Sequence, residues 1–142
     1  MVLAASCCPL QSPVTEDAPI KVSAAVQEYR AQADRVIHEG LEHLIATQNR
    51  NGSWGSWQQP MIYDRFWSNP ETHLAWQYAV TGLVCLSLME VENNPRAAAA
   101  LNGGLDFLTA SPLIKRVSDW DTDNTWAYVY GLAALTKAAL DP

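Results

Sequence analysis

Two pairs of matching segments constrain the fold of this chain more than any other feature of its sequence. Residues 40–46 (GLEHLIA) match residues 104–110 (GLDFLTA), and residues 78–86 (YAVTGLVCL) resemble residues 128–135 (YVYGLAAL). The first pair lies in helical patterns with one apolar face, and the second pair lies in patterns that are apolar on almost every side. The sequence therefore predicts two copies of one unit, each with an amphipathic outer helix, a tryptophan-containing loop and an apolar inner helix.

The spacing of apolar residues predicts an all-α fold with about four helices, at approximately 22–48, 73–91, 96–110 and 124–140. We expect the first helix to lie against the body of the protein along its apolar face, and the second to be buried all round. Repeats of this kind need neighbours to cover their inner helices, and roughly three or more are usual. We therefore predict the N-terminal part of a longer protein, or a chain that pairs with another chain.

Residues 1–20 have no apolar period and contain three prolines, which is typical of a disordered leader or a signal-peptide remnant. Residues 21–142 form the predicted helical domain. Localisation stays unknown from the sequence, although a clipped signal peptide at Met1 to Pro9 would indicate an exported or periplasmic protein. Three cysteines, two of them adjacent, do not make a disulfide framework.

Charge and hydropathy exclude two classes of partner. The formal net charge is -6 and the nine Lys and Arg residues are scattered, so the chain lacks the basic patch that nucleic-acid binding requires. No run of eighteen or more apolar residues is present, so we predict no membrane span.

The turn after the first helical pattern carries a glutamine, two glycines and two tryptophans in ten residues, 48–57. An amide at a helix end can bond to the freed helix-end groups, and an indole can cover the neighbouring turn. We interpret Gln48, Gly52 and Trp54 as a structural motif that ties one hairpin to the next. Trp120 repeats this role more loosely in the second loop.

The second loop places acidic and amide side chains directly before the last apolar helix. Asp121, Asp123 and Asn124 are what a helix N-terminus favours for capping alone. His73, near the start of the second helix, is interpreted as a surface or capping group. His38 and His43 are not spaced to share a helix face, and no Cys or carboxylate pattern joins them as a metal set. The sequence predicts no metal site and no cofactor.

The segment from Gly40 through Gln48-Asn49-Arg50-Asn51-Gly52-Ser53-Trp54-Gly55, followed by an apolar inner helix, resembles the prenyltransferase and squalene-oxidase repeat of terpenoid cyclases and protein prenyltransferases. The resemblance implies an α/α toroid, in which inner and outer helices surround a central cavity, and here an incomplete one. The zinc site expected of a protein prenyltransferase subunit is not visible in the sequence. The implied partners are a hydrophobic or isoprenoid ligand and further repeats, supplied by missing C-terminal residues or by another chain.

The second loop is similar to the D-x-D-D-T motif with which squalene-hopene-type cyclases protonate an isoprenoid. Asp121, Asp123 and Asn124 occupy its acidic positions, and Asn124 departs from the expected Asp. The resemblance implies Asp123 as the proton donor, with aromatic walls supplied by Trp126, Tyr128 and Tyr130. Two functions stay open: a non-catalytic part of a hydrophobic cavity or interaction surface, which a chain this short favours, and a fragment of a cyclase-like enzyme.

Overall fold

The computed structural model describes residues 23–56, 70–110, 114–116, 118–119 and 122–140. These residues form four α-helices and no strand: α1 (Ala24–Ala46), α2 (Pro70–Leu88), α3 (Pro95–Ala110) and α4 (Asn124–Leu140). The predicted all-α class is therefore confirmed. The disordered leader predicted for residues 1–20 lies outside the described residues, as do residues 57–69 between the first two helices.

The helix ends follow from local side-chain chemistry. Pro70 is the first residue of α2. A backbone N–H at this position would have no acceptor within the helix, so proline, which has no N–H, fits there. Asn93 follows α2 in the left-handed conformation, with φ of 56°, which Asn tolerates better than most residues. The Asn94 side-chain oxygen then accepts from the backbone N–H groups of Arg96 at 3.0 Å and Ala97 at 3.1 Å. Asn94 therefore caps the start of α3.

The chain divides into two compact units, Met1–Asp34 and Arg35–Pro142, and α1 contributes residues to both. In the first unit every described residue is exposed, including Tyr29. In the second unit α1 remains exposed up to Gly40, and Leu41, Leu44 and Ile45 then pack against the core. The expectation that the apolar face of the first helix is covered was therefore wrong at Val36 and Ile37, which are 62% and 66% exposed.

Within the second unit, α2 packs against both α3 and α4, and most extensively against α4. The backbones of α2 and α4 approach closely at Gly82 and Gly131. A Cβ added to Gly82 would lie 2.6 Å from the carbonyl carbon and oxygen of Tyr130, and one added to Gly131 would lie 2.4 Å from the Tyr78 ring. Only a residue without a side chain allows this separation of the two helices.

The core lies where α2 meets α3, α4 and the turn that follows α1. It combines one tryptophan with many small side chains: Trp54, Val84, Cys85, Leu88, Ala97, Ala100, Leu108 and Ala134. Burial raises the pKa of the Cys85 thiol to about 11, so this thiol stays protonated at neutral pH. Leu83 and Ser87 of α2 are exposed, so the prediction of a helix buried all round was wrong. Helices α3 and α4 cover two sides of α2 and leave this third side open.

Among the described helices, none is long and apolar enough to cross a membrane.

Candidate functional site

The turn after α1, residues 48–54, joins three helices and is called the joint below. Its first residue, Gln48, is half-buried. The Gln48 amide nitrogen donates to the carbonyl oxygen of Gly52 at 2.9 Å and to that of Ala100, in α3, at 2.8 Å. Both N–H groups of the amide are therefore used, one within the turn and one on α3.

The loop of the joint is closed by short-range hydrogen bonds. Asn49 and Ser53 pair through the Asn49 N–H and the Ser53 carbonyl at 2.9 Å. The Asn51 side-chain oxygen accepts from the Ser53 N–H at 3.2 Å and from the Ser53 hydroxyl at 2.7 Å. Gly52 has φ of +85°, and a Cβ there would lie 2.1 Å from the Gly103 carbonyl oxygen. The turn therefore requires glycine at position 52 for its conformation and for its contact with α3.

Trp54 anchors the joint in the core and is only 3% exposed. Its indole N–H donates to the Leu44 carbonyl at 2.7 Å, near the end of α1. Its backbone N–H donates to the Thr81 hydroxyl at 3.0 Å, in α2. A Cβ added to Gly104 would lie 2.9 Å from the Trp54 ring and 2.6 Å from the Cys85 sulfur, so α3 also packs on the indole. Trp54 thus contacts all of the first three helices.

The acidic site predicted in the second loop lies at the start of α4. The Asp123 Oδ2 accepts from the Trp76 indole N–H at 3.1 Å, and the Asp123 carbonyl accepts from the Trp126 N–H at 3.1 Å. Asp123 therefore connects α2 to the first turn of α4. Its role as a proton donor stays a prediction. The other predicted residues of this loop, Asp121 and Trp120, lie outside the part of the chain that the structure describes.

The three aromatic residues proposed as cavity walls do not share one side of α4. Trp126 and Tyr130 are one helical turn apart and stack, with ring centroids 6.0 Å apart and planes 15° apart. Tyr128 lies on another side of the helix, and its hydroxyl donates to the Ile114 carbonyl at 2.7 Å. Trp126 and Tyr128 are both exposed. The structure therefore brings one pair of aromatic rings together near Asp123, without Tyr128.

The outward side of α4 is apolar and exposed. An open depression on it is lined by Val129, Leu132, Ala133, Thr136, Lys137 and Leu140. Five of these residues, 129, 132, 133, 136 and 140, are called the α4 apolar face below. Leu132 is 67% exposed. Lys137 lies at the edge, where its Nζ pairs with the Glu90 carboxylate at 3.2 Å. The opposite side of α4, with Ala127, Gly131 and Ala134, is buried.

His73 is buried, with 2% of its surface exposed. Its interpretation as a surface group was therefore wrong, because the first turn of α2 turns Thr72 and His73 into the protein and leaves Glu71 in solvent, whereas the capping alternative stays a prediction. Burial lowers the pKa of His73, because the charged imidazolium loses its hydration.

This lowered pKa gives the stability of the protein a defined pH dependence. Below the usual His pKa of about 6.5, the unfolded chain binds a proton at His73 more readily than the folded chain does. The contribution of His73 to stability is therefore fully present above that pH and is lost as the pH falls from about 6.5 through the lower pKa of the folded state. We expect His73→Gln to show a smaller drop in melting temperature between about pH 7.5 and pH 5 than the wild type.

His38→Gln is the matched control for this prediction, because His38 is exposed on α1. It should keep the wild-type pH dependence. The same pH dependence in all three proteins would show that His73 does not contribute to it.

Several contacts of these sites were not predicted from the sequence. Thr81 is a lone polar residue in an apolar pattern and proves to be an acceptor for Trp54. Gly103 and Gly104 interrupt a helical pattern, which signals a close backbone approach. Tyr78 stacks at a tilt on Phe107 and donates its hydroxyl to the Leu108 carbonyl. The glycine pair was a readable signal, whereas the partners of Thr81 and Tyr78 depend on how the helices pack.

Within residues 23–56, 70–110 and the described parts of 114–140, no group of three His, Cys, Asp or Glu residues could hold a metal ion. Comparison with protein-family models, with curated proteins and with solved structures finds no match for the chain.

Proposed function

We propose that this chain is a non-catalytic helical repeat of the α/α-toroid kind, and that its α4 apolar face is an interaction surface for another helical hairpin. The observation that carries this proposal is the exposure of Val129, Leu132 and Leu140 along one side of α4. Apolar surface gains about 25 cal/mol for each Å² removed from water, so a contiguous exposed patch of this kind marks a binding surface.

The spacing of the α4 apolar face favours a helix as its partner. Its members lie at positions 129, 132, 133, 136 and 140, which is the i, i+3, i+4, i+7, i+11 pattern of a stripe that packs into the groove of another helix. The buried side of α4 already packs on α2, an inner helix of the same kind. A further hairpin would continue this series on the outward side.

Two features support the repeat type. The joint uses Gln48 and Trp54 to hold the end of an outer helix on its neighbours, the role expected of this motif in prenyltransferase and squalene-oxidase repeats. The inner helices α2 and α4 also pair at equivalent glycines, Gly82 and Gly131, each of which is followed by an exposed leucine. Membership of that repeat family and the toroid geometry are parts of the proposal.

A hydrophobic small molecule such as an isoprenoid is the other candidate for this surface. In that case Asp123 would be the acid of a cyclase-like reaction, beside the stacked rings of Trp126 and Tyr130. We favour the helical partner because the depression on α4 is open and Trp126, beside Asp123, is 45% exposed, whereas carbocation chemistry requires a dry, enclosed pocket.

Leu132→Glu tests the interaction surface, with a second copy of the full chain as the probe, since it offers the same kind of helix. Sedimentation velocity at rising protein concentration should show association of the wild type. We expect Leu132→Glu to reduce this association by about tenfold or more, because a carboxylate would be buried against apolar residues. Its far-UV circular dichroism should not change.

Ile37→Glu is the matched control, because Ile37 is 66% exposed on α1 and lies outside the α4 apolar face. It should associate as the wild type does. A monomeric wild type that binds farnesol, with binding lost in Leu132→Glu, would replace the helical partner with a hydrophobic ligand. A wild type that neither associates nor binds farnesol would overturn the proposed surface.

A further inference from the structure

The joint contains an Asn–Gly step, Asn51–Gly52, which is the dipeptide most prone to spontaneous deamidation. Deamidation at this step requires no enzyme, because glycine has no side chain to hinder attack by its backbone nitrogen on the carboxamide of the preceding asparagine. Asn51 is exposed and Gly52 is half-buried, so water reaches the step.

We propose that the Asn51–Gly52 step is a site of spontaneous deamidation that the closed joint protects. A long-lived opening of the joint then allows a permanent chemical change at this step. In the reaction the Gly52 nitrogen forms a bond to the Asn51 Cγ, and the bond from Cγ to the side-chain nitrogen breaks. The proton of the Gly52 N–H leaves with that nitrogen as ammonia. Water then opens the succinimide ring at either carbonyl and gives aspartate or isoaspartate.

Two sets of contacts protect the step in the closed joint. The Gly52 N–H, whose nitrogen must attack, donates to the Asn49 carbonyl at 2.9 Å. The Asn51 side-chain oxygen is held by the N–H and the hydroxyl of Ser53, a residue that is fully buried. Ring closure requires the carboxamide to rotate towards Gly52 and the Gly52 nitrogen to lose its proton. Both sets of hydrogen bonds must therefore break first.

Modification would also prevent the joint from closing again. Isoaspartate adds one methylene to the backbone between positions 51 and 52. Gly52 lies close against α3, because a Cβ added to it would lie 2.1 Å from the Gly103 carbonyl oxygen, and its own carbonyl is bonded to Gln48. The lengthened chain cannot satisfy these contacts together with the pairing of Asn49 and Ser53.

A second Asn–Gly step, Asn102–Gly103, provides an internal reference. It lies inside α3, where the helix fixes the backbone, and Asn102 is exposed like Asn51. The same digest of the full chain therefore reports both steps under identical conditions.

Peptide mapping by mass spectrometry after incubation at mildly alkaline pH tests the proposal. In the folded wild type, Asn51 should deamidate at least about tenfold more slowly than in urea, where both steps should react at similar rates. Gln48→Ala removes the two hydrogen bonds that Gln48 donates. We expect this variant to accelerate the deamidation of Asn51 several-fold more than that of Asn102. Equal rates for Asn51 in the folded chain and in urea would overturn the protection. Equal acceleration of deamidation at both steps by Gln48→Ala would show that this variant acts through global unfolding, and would overturn its local effect on the joint.

Asn51→Asp separates the effect of the lengthened backbone from that of the new charge. The isolated isoaspartate form should melt at a lower temperature than this variant. Equal melting temperatures would show that the added methylene does not disturb the joint, and would overturn that part of the proposal.

Discussion

Replacing Trp54 with alanine should lower the free energy of unfolding by about 3–5 kcal/mol, a large fraction of the stability of a domain this size. The substitution empties the centre of the core and removes the hydrogen bond from the indole to the Leu44 carbonyl. The end of α1 would then lose the contacts that Trp54 provides between it and the helices α2 and α3. Urea denaturation followed by far-UV circular dichroism measures the effect without relying on tryptophan fluorescence.

Trp126→Ala is the matched control, because Trp126 is 45% exposed and lies outside the core. It should cost roughly 1 kcal/mol or less. The loss of stability in Trp54→Phe should fall between those of the two alanine variants, because phenylalanine keeps much of the ring but lacks the indole N–H. The lost hydrogen bond alone costs about 1 kcal/mol. Equal losses for Trp54→Ala and Trp126→Ala would contradict the central position of Trp54.

Gly82→Ala and Gly40→Ala should change stability in opposite directions, although both place the same methyl group inside a helix. At Gly82 the Cβ would lie 2.6 Å from backbone atoms of Tyr130, so α2 and α4 must separate, at a cost of about 1–3 kcal/mol. At Gly40 nothing lies within 4 Å of the added Cβ. That substitution should stabilise α1 by up to about 1 kcal/mol, because alanine has the higher helix propensity.

The same urea titrations compare these two variants. Stabilisation by both substitutions would show that α2 and α4 do not approach closely at Gly82. Destabilisation by both would show that Gly40 also faces a neighbour.

The sequence predicted the elements whose signals are local. The helix predicted at about 124–140 has the observed bounds of α4, because helix-start residues precede an uninterrupted apolar pattern. The apolar pattern of the second helix begins at His73, but the residues Asn69-Pro70-Glu71-Thr72 before it predict a helix start, and α2 begins at Pro70. The side of α3 that is buried was also readable, since Ala97, Ala100, Gly104 and Leu108 recur at helical spacing.

Other features depend on which elements meet, which periodicity does not determine. The apolar stripe of α1 predicted burial, yet Val36 and Ile37 are exposed, whereas Leu41, Leu44 and Ile45 pack against the core. The sequence predicted a surface position for His73, because polar side chains at a helix start usually face water. The aromatic residues of α4 read as one set, but Tyr128 points to a different neighbour from Trp126 and Tyr130.

The central claim is that the joint holds the end of α1 against α2 and α3 through Trp54. An NMR measurement on the full chain tests it most directly. We predict nuclear Overhauser effects between the Trp54 ring and the Hα protons of Gly104, together with a ring-current shift of those protons that Trp54→Ala abolishes, because a Cβ on Gly104 would lie 2.9 Å from the ring. An unshifted Gly104 with no such Overhauser effect to Trp54 would contradict the claim.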